Sequence, residues 1–398
     1  MPSSSPEYQL VTDPGALAAL CERLARMPYV TVDTEFMRES TFWAQLCLVQ
    51  IASTDEVAVV DPLAPGMDLG PFHALLANPG VVKVFHAARQ DIEIFVKQTG
   101  TVPHPLFDTQ IAAAVCGFGD QVSYEQLVYR ITGHQIDKSS RFSDWAQRPL
   151  SGRQLSYAAD DVVHLRQVYL ALKASLQEQD RSHWVAEEMA VLTDVATYVT
   201  HPEEAWQRLK LRVKKPRQLA VLQRVSAWRE REAQQRNVPR SRVLKDDAIY
   251  EIALQQPRNP ESLGRLRSIP RGFERSAAAA GILKAVEEAF AIPEDALPRI
   301  PRSRPAPEHA SAAADLLKVL LKMVAERNGV AARIIAGADD LEQIAASEHA
   351  DVPALRGWRR ELFGEQALAL KRGEIALALS PKGMTIVAAE GRPQKAAE

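Results

Sequence analysis

Apolar residues recur in two rhythms along the chain, and the shift between them falls near its midpoint. In the first half, short β-branched and apolar runs repeat: YVTVDTE at 29–35, QLCLVQIAS at 45–53, EVAVVD at 56–61 and VVKVF at 81–85. Runs of this length suit strands, and the first three are joined so briefly that they predict an antiparallel meander. Elsewhere the period lengthens. Residues 89–97 put Ile92, Phe95 and Val96 on one helical face, 108–116 and 123–130 read as further helices, and 151–176 as a long one. This mixture predicts an α/β domain over residues 1–195 with a partly antiparallel sheet.

Beyond about residue 205 the strand rhythm stops. Residues 205–290 read as short helices broken at Pro216, Pro239, Pro257 and Pro270. Residues 291–310 hold five prolines in twenty positions, which predicts a stiff, extended linker. Periodic runs such as AADLLKVLLKMVAE then make 311–385 a second helical module of similar size, with weak point-for-point repetition of the first.

Composition is that of an ordinary globular protein, with 46% hydrophobic and 25% charged residues, so ample cores can form without staples. Cys21, Cys47 and Cys116 are scattered without zinc-ligand spacing, and no run approaches the roughly 18 apolar residues of a membrane span. MPSSSPEYQL lacks the basic start and apolar run of a signal peptide, so a soluble cytoplasmic protein is expected. The net charge of −2 hides a segregation: positions 205–245 carry thirteen Lys and Arg against Glu230 and Glu232. That local +11 predicts a basic surface for polyanions beside an acidic first domain, although a charge run is more often a plain solvated face.

The acidic residues at element ends carry the chemistry. Asp33 and Glu35 sit two apart on an apolar strand, so they share a face, where they repel each other and lose hydration unless a cation is present. Hard oxygen donors without His or Cys suit Mg²⁺ or Mn²⁺ rather than zinc. Asp91 falls at a strand-to-helix junction, where capping is the ordinary role. Asp161 lies in the long helix with Tyr157 one turn before it on the same face. Singly, each is unremarkable.

In this order, DTE, a strand–helix Asp and YxxxD closely resemble the three exonuclease motifs of the DEDD nucleases. Tyr157 marks the DEDDy branch, since the His of the other branch would stand where this chain has Ser156. The resemblance is closest to ribonuclease D and covers nearly the whole chain, through FMRESTFWAQLCLVQIA (36–52), KVFHAARQDIEIF (83–95), LFDTQIA (106–112) and DKSSRFSDWAQRPLSGRQLSYAADDV (137–162). Residues 205–290 resemble an HRDC domain, clearest in WREREAQQRNVPRSRVLKDDAIYEIA (228–253), and 311–385 a more divergent one.

The resemblance implies a ribonuclease H-like catalytic domain followed by two all-α HRDC-like domains, and removal of nucleotides from the 3′ end of RNA as 5′-nucleoside monophosphates. It also implies two divalent ions, Mg²⁺ or Mn²⁺. Asp33 would bridge them, Glu35 and Asp161 would complete one site, and Asp91 would hold the second through water. Tyr157 would orient the attacking water, since a phenol with a pKa near 10 is a poor base at neutral pH. Phe36 is a candidate platform for the terminal base, and Lys138 and Arg141 are candidate phosphate ligands, each balanced by a packing or solvated role. His86 stands where many DEDD proteins have Asn, which fits ribonuclease D. Trp145 is assigned to packing. The expected partner is RNA, best a tRNA precursor with a 3′ extension, with no membrane and no nucleotide cofactor; no GxxxxGK[ST] phosphate loop is present. A DNA 3′→5′ exonuclease shares every carboxylate, and a nucleic-acid-binding adaptor with a decayed site is the alternative outside the enzymes.

Overall fold

The computed structural model describes residues 7–137, 139–210, 212–300, 310–381 and 383–389. Six strands form the sheet of the first domain: β1 (Gln9–Val11), β2 (Tyr29–Met37), β3 (Gln45–Ala52), β4 (Val57–Val60), β5 (Val82–Phe85) and β6 (Leu106–Asp108), in the order β1-β4-β3-β2-β5-β6. The expected meander is present, with β2 antiparallel to β3 and β3 to β4. β1 and β6 add to the edges in parallel, as does β5 beside β2. Both edge strands have three residues, too short to carry a period of their own.

Helices cover both faces of this sheet. Against one lie α1 (Pro14–Leu24), α2 (Gly70–Ala77) and α3 (Arg89–Thr99), whose Leu20, Phe72 and Phe95 bury against Val30 and Val32. After α4 (Thr109–Val115) and α5 (Tyr124–Thr132), the long α6 (Gly152–Glu178) crosses the other face. α6 begins where Ser151 and Gln154 close a capping box, which satisfies two otherwise orphaned donors. Its Leu155, Ala158 and Ala159 pack on Leu48 and Val59. The side-chain period of two therefore divides β2: even residues face α1–α3, while Thr31 donates from the odd face to the Val162 carbonyl of α6 at 2.8 Å.

α7 (Ser182–Thr193) leads into a second core built on α8 (Pro216–Arg236), α9 (Arg240–Val243), α10 (Asp246–Gln255), α11 (Pro260–Gly264) and α12 (Ala277–Phe290). Pro216 starts a helix rather than breaking one, because the first helical position needs no N–H, and Pro239 stands directly before α9. The Pro-rich stretch is not wholly extended. Ile292, Leu297 and Ile300 fold back onto this second core, since apolar residues between the prolines have a surface to cover; 301–309 lie outside the described residues.

A third core gathers α13 (Ala310–Asn328), α14 (Ala332–Ile335), α15 (Ala338–Ala346) and α17 (Glu365–Lys371), with α16 (Gly357–Arg359) entering a π turn before α17. The strand rhythm then returns, against expectation, as the hairpin β7 (Ile375–Ser380) and β8 (Gly383–Ala388). This ribbon is half exposed on both faces, so its alternation is weak. No helix of the described residues is long and apolar enough to cross a membrane.

The cores lock together through aromatics. Phe42, from the β2–β3 connection, is buried in the second core, and Trp43 accepts Lys97 over its ring and donates its backbone N–H to Asn237 at 3.0 Å. Trp184 of α7 stacks on Trp358 of the third core at 4.5 Å.

Candidate active site

β2 runs past the end of β5: the last register pair is Thr31 with Val84, so Asp33 and Glu35 stand where the parallel neighbour has stopped. Open α/β sheets place ligands in such crevices, outside the carboxyl ends of their strands. Asp33 and Glu35 point toward α6, which brings Asp161 over them, and Asp91 enters from the first turn of α3. Asp91 is held from the opposite face of β2 by the Thr34 hydroxyl, which donates to its carboxylate. A capping role for Asp91 is not what the structure shows.

A strained loop sets the position of α3. Ala87 has φ of 57°, a left-handed conformation unfavourable for an L-residue with a side chain. The buried Asp108 holds it there, accepting from the backbone N–H groups of Ala87 (3.1 Å) and Ala88 (2.8 Å) while also capping α4 through Gln110 (2.8 Å). Asp108 thus ties β6 to the loop that aims Asp91. Sequence reasoning missed this role, although the residue stands in LFDTQIA.

All four carboxylates are uncomfortable as anions. Burial, then Asp161, pushes Asp33 well above the usual carboxylate range; burial, then Asp33, does the same to Asp91. Burial, then Glu35, raises Asp161. Glu35 is pushed up to about 9 by burial, then Asp33 and Asp91, against a partial offset from Arg141. Each thus feels at least one other, and none of the four makes an ion pair among the described residues. The donor set, oxygen alone, fits a hard divalent cation. As they stand, no three His, Cys, Asp or Glu of the described residues close to ligand spacing. Thr34 holds Asp91 and Tyr157 holds Asp161 by hydrogen bonds.

Tyr157 hydrogen-bonds Asp161, and burial followed by the Asp161 charge raises its pKa, so the phenol stays protonated. Trp145 is packing, as expected, but of a specific kind: it stacks on Tyr157 at 6.1 Å. Tyr124, not foreseen, is partly buried beside the site and donates to the Asp160 carbonyl at 3.3 Å, with Asp161 and Asp33 close enough to raise its pKa further after desolvation. Gln50 was missed as well. It faces Asp33 across β2–β3, is 0% exposed, and neither amide atom has a hydrogen-bond partner among the described residues. A polar residue inside LCLVQIA was its only signal.

The remaining candidates divide. Arg141 is drawn to the site, within electrostatic reach of Glu35, on a loop pinned by Arg148, which donates to Asp61 (2.7 Å) and to the Cys47 carbonyl (2.7 Å) at a bulge of β3. Beside Arg141, Phe142 is 93% exposed. Phe36 is half-buried and packs against the first core. His86 bonds Thr109 through Nδ1 at 2.9 Å and packs on Tyr124, while Nε2 is enclosed without a hydrogen-bond partner among the described residues. Lys138 lies outside the described residues.

Of the thirteen basic residues at 205–245, six are in ion pairs: Arg208 and Arg240 with Glu230, Arg212 with Asp247, Arg217 with Glu294, Arg229 with Asp246 and Arg231 with Glu203. The run is therefore less basic than its sequence. Lys210, Lys214, Lys215, Arg224, Arg236, Arg242 and Lys245 remain exposed.

Residues 8–177, which hold this mixed sheet and its carboxylates, match the family described as 3′-5′ exonuclease, so the first domain is a 3′→5′ exonuclease domain. Residues 218–286 match the HRDC domain. The chain is 56% identical to ribonuclease D of Nitrobacter hamburgensis over 377 residues, 95% of this chain and 98% of that protein. It is 51% identical to ribonuclease D of Granulibacter bethesdensis over 97% of this chain and 98% of that one. The crystal structure of Escherichia coli RNase D, described as an exoribonuclease involved in structured RNA processing, is 30% identical, with a TM-score of 0.81 over 92% of this chain and 99% of that chain. The chain belongs to the ribonuclease D family of 3′→5′ exoribonucleases, which work with divalent metal ions.

Proposed function

We propose that this chain trims the 3′ ends of RNA, best of tRNA precursors, one nucleotide at a time, with two divalent ions (Mg²⁺ or Mn²⁺) held by Asp33, Glu35, Asp91 and Asp161. The observation that carries the reading is the mutual approach of four carboxylates, each pushed up by burial and by another of the set, with no ion-pair partner among the described residues. The ions would supply the charge that lets water attack the phosphorus and the 3′ oxygen leave. Tyr157, kept protonated, would orient that water rather than deprotonate it. Arg141 would steady a phosphate, Phe142 or Phe36 would offer a base its face, and His86 would shape the wall behind them. We divide the chain into a catalytic domain at 1–195, an HRDC domain at 205–290 with 291–300 packed on its core, and a divergent HRDC-like domain at 311–385. An RNA substrate of this kind would place the enzyme in the cytoplasm.

The test is hydrolysis of matched RNA and DNA oligomers with Mg²⁺, with Mn²⁺ and with excess chelator, alongside Asp33→Ala. We expect 5′-monophosphate release from RNA, abolished by chelator and by Asp33→Ala, with RNA binding by the variant largely retained. Full turnover in chelator would overturn the metal reading. Equal or faster hydrolysis of DNA would favour a DNA exonuclease, and an inert wild type a binding adaptor.

A further inference from the structure

Between the catalytic and second domains opens a pocket of about 230 Å³. Four separate parts of the chain wall it: Arg38 just past β2, Arg89 and Glu93 on α3, Tyr198 and Arg208 in the connection after α7, and Arg240 opening α9. The pocket exists only because the second domain packs on the first. Arg240 lies over the ring of Phe42, the residue that the first domain inserts into the second core.

Four guanidinium groups meet two carboxylates here. Arg38 grips Glu93 through two bonds of 2.8 Å, and Arg240 grips Glu230 through two of 2.6 Å. Glu230 is 0% exposed and also accepts Arg208 at 3.3 Å. Arg89 is exposed and makes no ion pair among the described residues, though it lies close enough to Tyr198 to act on its hydroxyl. An ion-pair cluster that served stability alone would balance its charges. A third carboxylate, Asp108, also acts on Tyr198, so the surplus beside the cavity is one, Arg89; each guanidinium has five donors, of which a carboxylate engages two. Planar forks of this kind match phosphate oxygens.

The placement fits an RNA strand. Arg89 and Glu93, four apart, share one face of α3, while Asp91 between them points to the other side. The pocket and the carboxylate cluster thus flank the first turn of one helix, separated by roughly its 10 Å width. The metal carboxylates repel phosphates, so a strand threading its 3′ end among them gains from a cationic anchor a short way upstream.

We propose that this pocket binds a backbone phosphate of the RNA upstream of the scissile bond, with Arg89 as its free ligand. The inference rests on the exoribonuclease reading, but it can fail independently. Its test is therefore binding alone, with turnover disabled: Asp33→Ala protein in chelator, a fluorescent single-stranded RNA of about twelve nucleotides, and Kd measured at several salt concentrations. Adding Arg89→Glu should weaken binding by about tenfold, as for loss of a charge-assisted contact. The slope of log Kd against log salt should fall by about 0.7, the value for one phosphate contact on a single strand. Arg89→Lys should recover most of the slope and only part of the affinity, since it keeps the charge and loses the fork. Arg26→Glu makes the same charge change in the turn after α1, away from the pocket, and should leave both quantities near those of the parent. Melting midpoints of all variants within a degree or two of the parent certify the fold. An unchanged slope for Arg89→Glu, or an equal effect of Arg26→Glu, would overturn the pocket. Failure of RNA hydrolysis in the wild type would instead count against the exoribonuclease reading and leave this binding result standing.

Discussion

Replacing Glu35 with Gln should stabilise the metal-free catalytic domain, by an amount that grows with pH. In the unfolded chain Glu35 titrates near 4.5, whereas in the fold burial, then Asp33 and Asp91, push it up to about 9 despite Arg141. Between those values the folded protein holds a proton that the unfolded chain has lost. Stability therefore falls as pH rises, by about 1.4 kcal/mol per pH unit for one such group. From pH 6 to pH 8 the loss is about 3 kcal/mol, or roughly 6–12 °C in the midpoint of a domain of this size. Gln carries no such proton, and the variant should lose that part of the slope. His86 and His164 act with the opposite sign, because burial lowers their pKa values and stability from them rises with pH. Both proteins share them, so they cancel in the difference between wild type and variant, which reads Glu35 together with its effect on Asp161. Calorimetry in chelator at pH 6, 7 and 8 reads it, following the transition that Mg²⁺ shifts. With Mg²⁺ added the order should reverse, since the wild type binds the ion more tightly. A difference between the two proteins that stays constant from pH 6 to pH 8 would refute the burial argument.

Three further outcomes are expected. Asp33→Ala should lose hydrolysis and keep RNA binding, measured by turnover and by anisotropy. Tyr157→Phe should lower turnover by about 10²-fold, at the low end for positioned acid–base groups, with metal affinity by calorimetry nearly unchanged; activity equal to wild type would leave Tyr157 a packing role only. Reversing the exposed charges of Lys214, Lys215 and Arg224 to Glu should weaken binding of a long folded RNA and flatten its salt slope by about 0.7 per lost contact, while short strands are cleaved almost as before. Truncation near residue 200 is a poorer probe of that surface, because it would bare Phe42 and Trp43; unchanged slopes in the charge-reversed protein would make the basic run a solvated face.

What the sequence determined by itself follows from backbone geometry over a few residues. The period of two put Asp33 and Glu35 on one face of β2, the helical period stacked Tyr157 under Asp161, and the meander and α6 were legible from spacing. Those relations hold wherever the segment goes in space. Tertiary structure decided everything that depends on which distant segments meet. It set Gln50 beside Asp33, hung the Ala87 loop from Asp108, and pinned the Arg141 loop through Arg148 and Asp61. It also supplied Glu203, Asp246, Asp247 and Glu294 from outside the basic run to neutralise part of it. The three-residue edge strands and the exposed hairpin were not legible, because a strand so short or so open takes its identity from its neighbour rather than from a buried face of its own. A local pattern fixes where a side chain points from its own backbone; only the packed chain fixes what it points at.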